Sequence, residues 1–247
     1  MFTFLKDHPF AVDAFFQSSL VLTYAVPMEE VRDLIPPCLE ADKFDDRWAF
    51  VAVAIVQTKA LRPRGLPEFF GSDFFLIGYR VFVRFTDVEG KRSRGLYILG
   101  SATNKQTMEF FGNMFTHYHY TTTDIVVTTN DGVTEISSDT SRFNVSYREP
   151  DGRDVPLPEG SPFSDWKEAR RFAGPLPFTF THEAGDETVL MIEGVRTNWK
   201  PIPVEVLDHK FSFVDGLGLS EARLANAFMV KEVPYSWKKG RRIAIPK

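Results

Sequence analysis

From Phe74 to Thr86 the chain alternates as a half-buried strand does. Tyr79, Val81, Val83 and Phe85 fall on one side, and Arg80, Phe82 and Arg84 on the other. The same period of two predicts strands over Ser18–Val26, Phe178–His182, Val189–Asn198, Val204–Val214, Val230–Trp237 and Arg242–Ile245. Arg47–Thr58 is apolar on both faces and reads as a central strand. Glu89-Gly90 turns the chain into a strand over Arg94–Ala102. Asn130-Asp131-Gly132 is a hairpin signal, followed by two strands within 133–148. Helical spacing predicts Met28–Ile35, opened by Pro27 and stopped by Pro36-Pro37. It also predicts 103–115, Ser164–Phe172 with Ser164 as cap, and Ser220–Phe228. Residues 59–73 and 153–163 carry prolines and glycines and read as loops, and 1–16 as an aromatic arm on the body. Many strands, few short helices and no repeat or linker predict one domain over 1–247. It is mostly β in an α+β sense, an antiparallel barrel or sandwich closed around a cavity.

The stretch after Ala102 concentrates the candidate chemistry. Met108, Phe111 and Phe115 give a helix with one apolar face, and Thr103 or Asn104 is its expected cap. The period then changes to two. His117, His119, Thr121 and Thr123 fall on one side, and Tyr118, Tyr120 and Thr122 on the other. Two histidines on one strand face could chelate a metal, with a third ligand from His182, His209, Glu193 or Asp124. None of these has a spacing that specifies a site, so no metal and no cofactor is expected; hydrogen bonding in a polar pocket is the other account. Lys105 opens the helix and is a Schiff-base candidate if desolvated, or an ordinary surface lysine. Arg80 is a carboxylate clamp if its face looks inward, with Phe82 beside it, and a solvated arginine otherwise. Glu193, Arg196 and Trp199 either line the same cavity or form a cross-strand ion pair.

The net charge of −4 and the lack of a basic run outside Lys238–Arg242 argue against nucleic acid or an anionic membrane as partner. No apolar run is long enough to cross a bilayer, the N-terminus does not read as a signal peptide, and one cysteine, Cys38, allows no internal disulfide. A cytoplasmic protein is the expectation. Twenty-four phenylalanines imply a bulky interior, an apolar ligand cavity or a subunit interface, so a homo-oligomer stays open.

The stretch 19–41, from Ser19-Leu20-Val21 through Pro36-Pro37-Cys38 to Ala41, resembles the opening of the acetoacetate decarboxylase superfamily. The likeness continues through 79–84 and the central helix, and resumes at 198–206 and 235–243. It looks closest to an uncharacterised branch. It implies a cone-like β-barrel with a central ligand cavity. The family's catalytic lysine pair would fall near Phe115-Thr116-His117, and its substrate-binding arginine near Gln17-Ser18; this chain carries neither. The resemblance therefore puts His117 or Tyr118 at the catalytic locus and Ser18 at the substrate locus, without Schiff-base chemistry.

Three functions follow as expectations. The first is an enzyme, a lyase or hydrolase, acting on a small or medium carbonyl or carboxylic acid. His117 is its acid/base, Tyr118 a donor and Arg80 the anion clamp, with Ser18, Phe82 and Trp199 around the substrate and Lys105 as a weaker catalytic candidate. The second is a non-catalytic binder of an apolar small molecule. The third is a metal-dependent enzyme built on His117 and His119.

Overall fold

The computed structural model describes residues 3–246. Seven strands form a closed ring: β1 (Val12–Pro27), β2 (Trp48–Pro63), β3 (Ser72–Thr86), β4 (Arg92–Thr103), β5 (Phe178–Thr181), β6 (Thr188–Arg196) and β7 (Arg223–Trp237). They pair in the order β7–β1–β2–β3–β4–β5–β6, and Gly194–Arg196 of β6 closes on Tyr235–Trp237 of β7. The barrel is antiparallel except at β4–β5, which is parallel. Between those two strands the chain makes a long excursion, which a parallel join requires. The excursion carries helix α1 (Gln106–Phe115), three strands of a second sheet and helix α2 (Trp166–Ala173).

The second sheet has four strands, ordered Glu205–Phe211, Phe143–Arg148, Val133–Ser138 and Val126–Asn130. Its Ile136, Phe143, Val145, Tyr147 and Phe211 pack on Leu20, Leu22, Val53, Ile55 and Ile77 of the barrel. Fully burying side chains of this size stabilises by roughly 1.5–3 kcal/mol each. This packing fixes which face of each barrel strand looks out. The residues between them, Ser19 and Val21, Ala52, Gly78, Arg80 and Phe82, are left to face the barrel interior. Five phenylalanines, Phe44, Phe50, Phe82, Phe163 and Phe172, fill the interior beneath α2.

Several boundaries differ from the sequence reading. β1 starts at Val12, so the arm gives part of its length to the barrel. Both ends of the expected loop 59–73 are strand, because β2 runs to Pro63 and β3 begins at Ser72. No helix forms over 220–228. Arg223 onward pairs with β1 instead, and burial of Ala225, Ala227, Phe228 and Met229 overrides local helical spacing. Asp165, one residue after Ser164, caps α2 by accepting from the Glu168 amide at 2.7 Å. No side chain caps α1; Asn104 Oδ1 accepts from the Phe75 amide at 2.8 Å instead.

Candidate functional site

Two adjoining chambers lie within the barrel and above it. The inner chamber, about 130 Å³, is the polar one. Arg80, Arg196, Tyr118, Tyr120 and Tyr235 project into it, and Phe82, Trp199 and Trp237 complete the apolar part of its wall. The outer chamber, about 550 Å³, lies between α1, the segment 8–12 and the 68–70 turn, and is lined mainly by Phe10, Phe70, Phe74, Met108, Phe111 and Phe115. Leu76, Tyr118, Tyr120 and Trp237 border both chambers.

Local sequence makes the inner chamber. Gly78 lies two residues before Arg80 on the same strand face, and the guanidinium folds back over it. A Cβ on Gly78 would sit 2.8 Å from Arg80 Nε and 2.9 Å from Nη2. Gly112 of α1 gives the same room to the Tyr120 ring, where a Cβ would come within 2.6 Å of Cε2. Gly194 gives room to Tyr235, whose Cζ would lie 2.8 Å from a Cβ there. Asn113 fixes Tyr120 further: its side-chain amide donates to the Tyr120 carbonyl and accepts from the Tyr120 amide, each at 2.8 Å. One register shift in the pairing of β1 with β2 matters as well. β1 slips between Phe16 and Ser18, opposite Glu232 of β7 with φ +54°. Phe16, Ser19 and Val21 then share the chamber face with Val230, Val233 and Tyr235.

The electrostatics are one-sided. Among the described residues no aspartate, glutamate, lysine or histidine lines the inner chamber. Arg80 Nε and Arg196 Nε are buried without a hydrogen-bond acceptor, and the Tyr118 hydroxyl is buried beside the Thr179 side chain. The terminal nitrogens of Arg196 donate to the carbonyls of Pro175 and Leu176, and its guanidinium stands 5.5 Å from the Trp199 ring centre. Burial pulls the Arg80 pKa down, against the nearby tyrosines, and Arg196 lowers it further. An arginine still keeps its proton at neutral pH. Burial raises the Tyr118 and Tyr120 hydroxyls far above the usual phenol range, so both stay protonated donors. The chamber thus offers two cations and several donors to an anion that no side chain in its wall supplies. An unpaired buried charge is costly, so an anionic ligand is the natural complement.

The candidate residues separate. Arg80, Tyr118, Phe82 and Trp199 come together in the inner chamber. Ser18 does not line it; the slip in β1 puts Ser19 there. Lys105 is exposed at the start of α1 and lines neither chamber. His117 is buried but also lines neither. Its Nδ1 is 2.9 Å from Glu183 and its Nε2 3.4 Å from Asp7, which also accepts from Arg242. His119 has φ +52° and is exposed, so the strand alternation fails there and the two histidines form no chelate. The four suggested third ligands are engaged elsewhere: Asp124 with Ser138 and two loop amides, His182 with the Thr188 carbonyl, His209 with Tyr24, and Glu193 with Lys238. Among the described residues no three His, Cys, Asp or Glu side chains gather as a metal site. Arg196 lines the inner chamber, the first of the two accounts that the sequence left open for it, while Tyr235 and Trp237 complete the site without having stood out; the isolated glycines within strands, Gly78 and Gly194, were the available signal.

His8 borders the outer chamber, and burial lowers its pKa to about 4, against backbone contacts that raise it. The folded state therefore binds this proton less readily than the unfolded state, where a histidine titrates near 6.5. Stability is fully present above about pH 6.5, falls as the pH drops toward 4, and changes no further below that. The upper limit for the loss is roughly 3 kcal/mol. Chemical denaturation at pH 7, 5.5 and 4 checks this, and His8→Gln should flatten that part of the profile.

A family model described as an uncharacterized conserved protein, DUF2071, matches residues 14–234. No curated protein sequence matches the chain. Among solved structures, an acetoacetate decarboxylase from Legionella pneumophila superposes with TM-score 0.61 at 10% identity, covering 96% of this chain and 88% of that one. An acetoacetate decarboxylase-like enzyme from Sphingomonas wittichii RW1 gives 0.58 at 10% identity, over 98% and 95%. The enduracididine biosynthesis enzyme MppR, complexed with pyruvate, gives 0.58 at 12% identity, over 96% and 91%. The fold is that of the acetoacetate decarboxylases, as the resemblance implied.

Proposed function

The chain belongs to the DUF2071 family, and from that membership and its decarboxylase-like fold we propose that it is an enzyme acting on a small carbonyl-containing carboxylate held in the inner chamber. One observation carries the reading: the Nε atoms of Arg80 and Arg196 are buried in the wall of one cavity without an acceptor, and among the described residues no carboxylate stands in that wall. Arginine is the side chain suited to holding a carboxylate through several parallel donors. MppR, with the same fold, is described with pyruvate bound, which supports a 2-oxo acid as the first ligand class to test.

The chemistry is electrophilic. The arginines orient the carboxylate. Tyr118 and Tyr120, both protonated, donate to the carbonyl oxygen and stabilise negative charge that develops on it. This suits enolisation beside the carbonyl, with the α-proton leaving to a water molecule, since no side chain in the described wall accepts it, and the charge settling on the oxygen that the tyrosines face. The Schiff-base route lacks an amine in either chamber. Borohydride added with pyruvate should therefore leave the protein mass unchanged by mass spectrometry; an adduct on Lys105 would contradict this. His117, outside both linings, has no place in the proposed step.

A second reading, a binding protein without catalysis, is favoured by one fact. The inner chamber holds donors and cations but no side chain that accepts a proton at neutral pH. Proton NMR of pyruvate in D₂O separates the two. Loss of the methyl signal faster with protein than with buffer supports enolisation. Saturable binding with no added exchange supports the binder and sinks the enzyme.

A further inference from the structure

The outer chamber has no role in holding a small 2-oxo acid, yet it is the larger of the two. We propose that it holds the apolar tail of the ligand, so that the ligand class is a carboxylate carrying an extended alkyl or aromatic chain. This rests on the arginine reading above and adds the tail to it.

The two chambers are built as head and tail sites. The inner one carries the cations and the tyrosine hydroxyls. The outer wall is mainly aromatic and aliphatic, with phenylalanine the commonest residue, and buried charge is nearly absent from it: His8 stays neutral and Arg62 is turned to the carbonyls of Ala60 and Leu66. A dry apolar wall rewards a hydrocarbon and rejects a second charge. Leu76, Tyr118, Tyr120 and Trp237 border both spaces, so a molecule anchored on Arg80 and Arg196 extends past them into the outer chamber. The space suits such a tail, since drug-sized ligands occupy roughly 300–1,000 Å³ and the inner chamber alone is too small for one. Phe70 and Phe111 line the outer chamber and are 61% and 52% exposed, so it opens to the surface between the 68–70 turn and α1. Phe69 and Phe110 stand exposed beside them. A mouth framed by four exposed aromatics admits an apolar chain.

The test is a chain-length series. Isothermal titration with propionate, butyrate, hexanoate and octanoate at one ionic strength measures Kd for each. Two- to fourfold tighter binding per added methylene is expected, the change that burying a CH₂ gives. Met108→Trp, which narrows the outer chamber where Met108 packs beside Tyr118 and Tyr120, should lower the octanoate-to-propionate affinity ratio at least tenfold. Octanol binding as tightly as octanoate would contradict the head-group assignment and, with it, the arginine reading. Short carboxylates that bind, with no gain along the series, would overturn the tail site while leaving the arginine reading intact. A gain that Met108→Trp does not diminish would place the chain elsewhere on the surface and also overturn the tail site.

Discussion

Arg80→Met should produce a protein that is more stable and no longer binds the carboxylate. The wild-type guanidinium lies over Gly78 with its Nε buried and unpaired, and among the described residues no carboxylate lines the chamber. Replacing an ion that lacks a partner by an unbranched apolar side chain of similar length removes its desolvation cost. Replacements of buried ionic groups by apolar ones often raise stability by roughly 1–4 kcal/mol. Binding should fall by about 30-fold or more, since loss of one member of a buried charge pair costs about 2–5 kcal/mol. Thermal denaturation and titration with pyruvate check both signs together. A destabilised variant would mean that Arg80 is a structural group and that the chamber is not a site built at the expense of stability.

Asp42→Ala should have the opposite effect on stability and is the most damaging single change we expect. Its carboxylate is 0% exposed and accepts from Arg84, and from Arg94 at 2.5 Å. Arg94 also donates to the Phe172 carbonyl at 2.8 Å and lies 4.7 Å from the Phe172 ring centre, so it ties α2 to the barrel. Removing the acid leaves two partly buried cations unpaired, at a cost of about 3–5 kcal/mol. A shift in the urea midpoint at constant slope would measure it. Arg84 and Arg94 share Asp42, whereas among the described residues Arg80 and Arg196 share no acid, and opposite effects on stability are expected on that ground.

How far this was legible in the sequence depends on the residue. The alternation of Tyr79 to Phe85 placed Arg80 and Phe82 on one face, and that face is the barrel interior. Which face looked inward was open, because it is decided by the second sheet packing on Ile77 and Tyr79, a contact distant in sequence. Ser18 missed the chamber by one position, because one slip in pairing reverses every side chain beyond it and leaves no mark in composition. The pairing of His117 with His119 assumed an unbroken strand, and the left-handed backbone at His119 ends that pattern. Arg196, Tyr235 and Gly194 come from two strands that meet only where the barrel closes, so no local window held them together.

The most direct test of the account is a crystal structure of the protein soaked with a 2-oxo acid. The account predicts the carboxylate within hydrogen-bond distance of both Arg80 and Arg196, with the keto oxygen facing Tyr118 or Tyr120. A ligand bound elsewhere while Arg80 and Arg196 keep their present surroundings would contradict it.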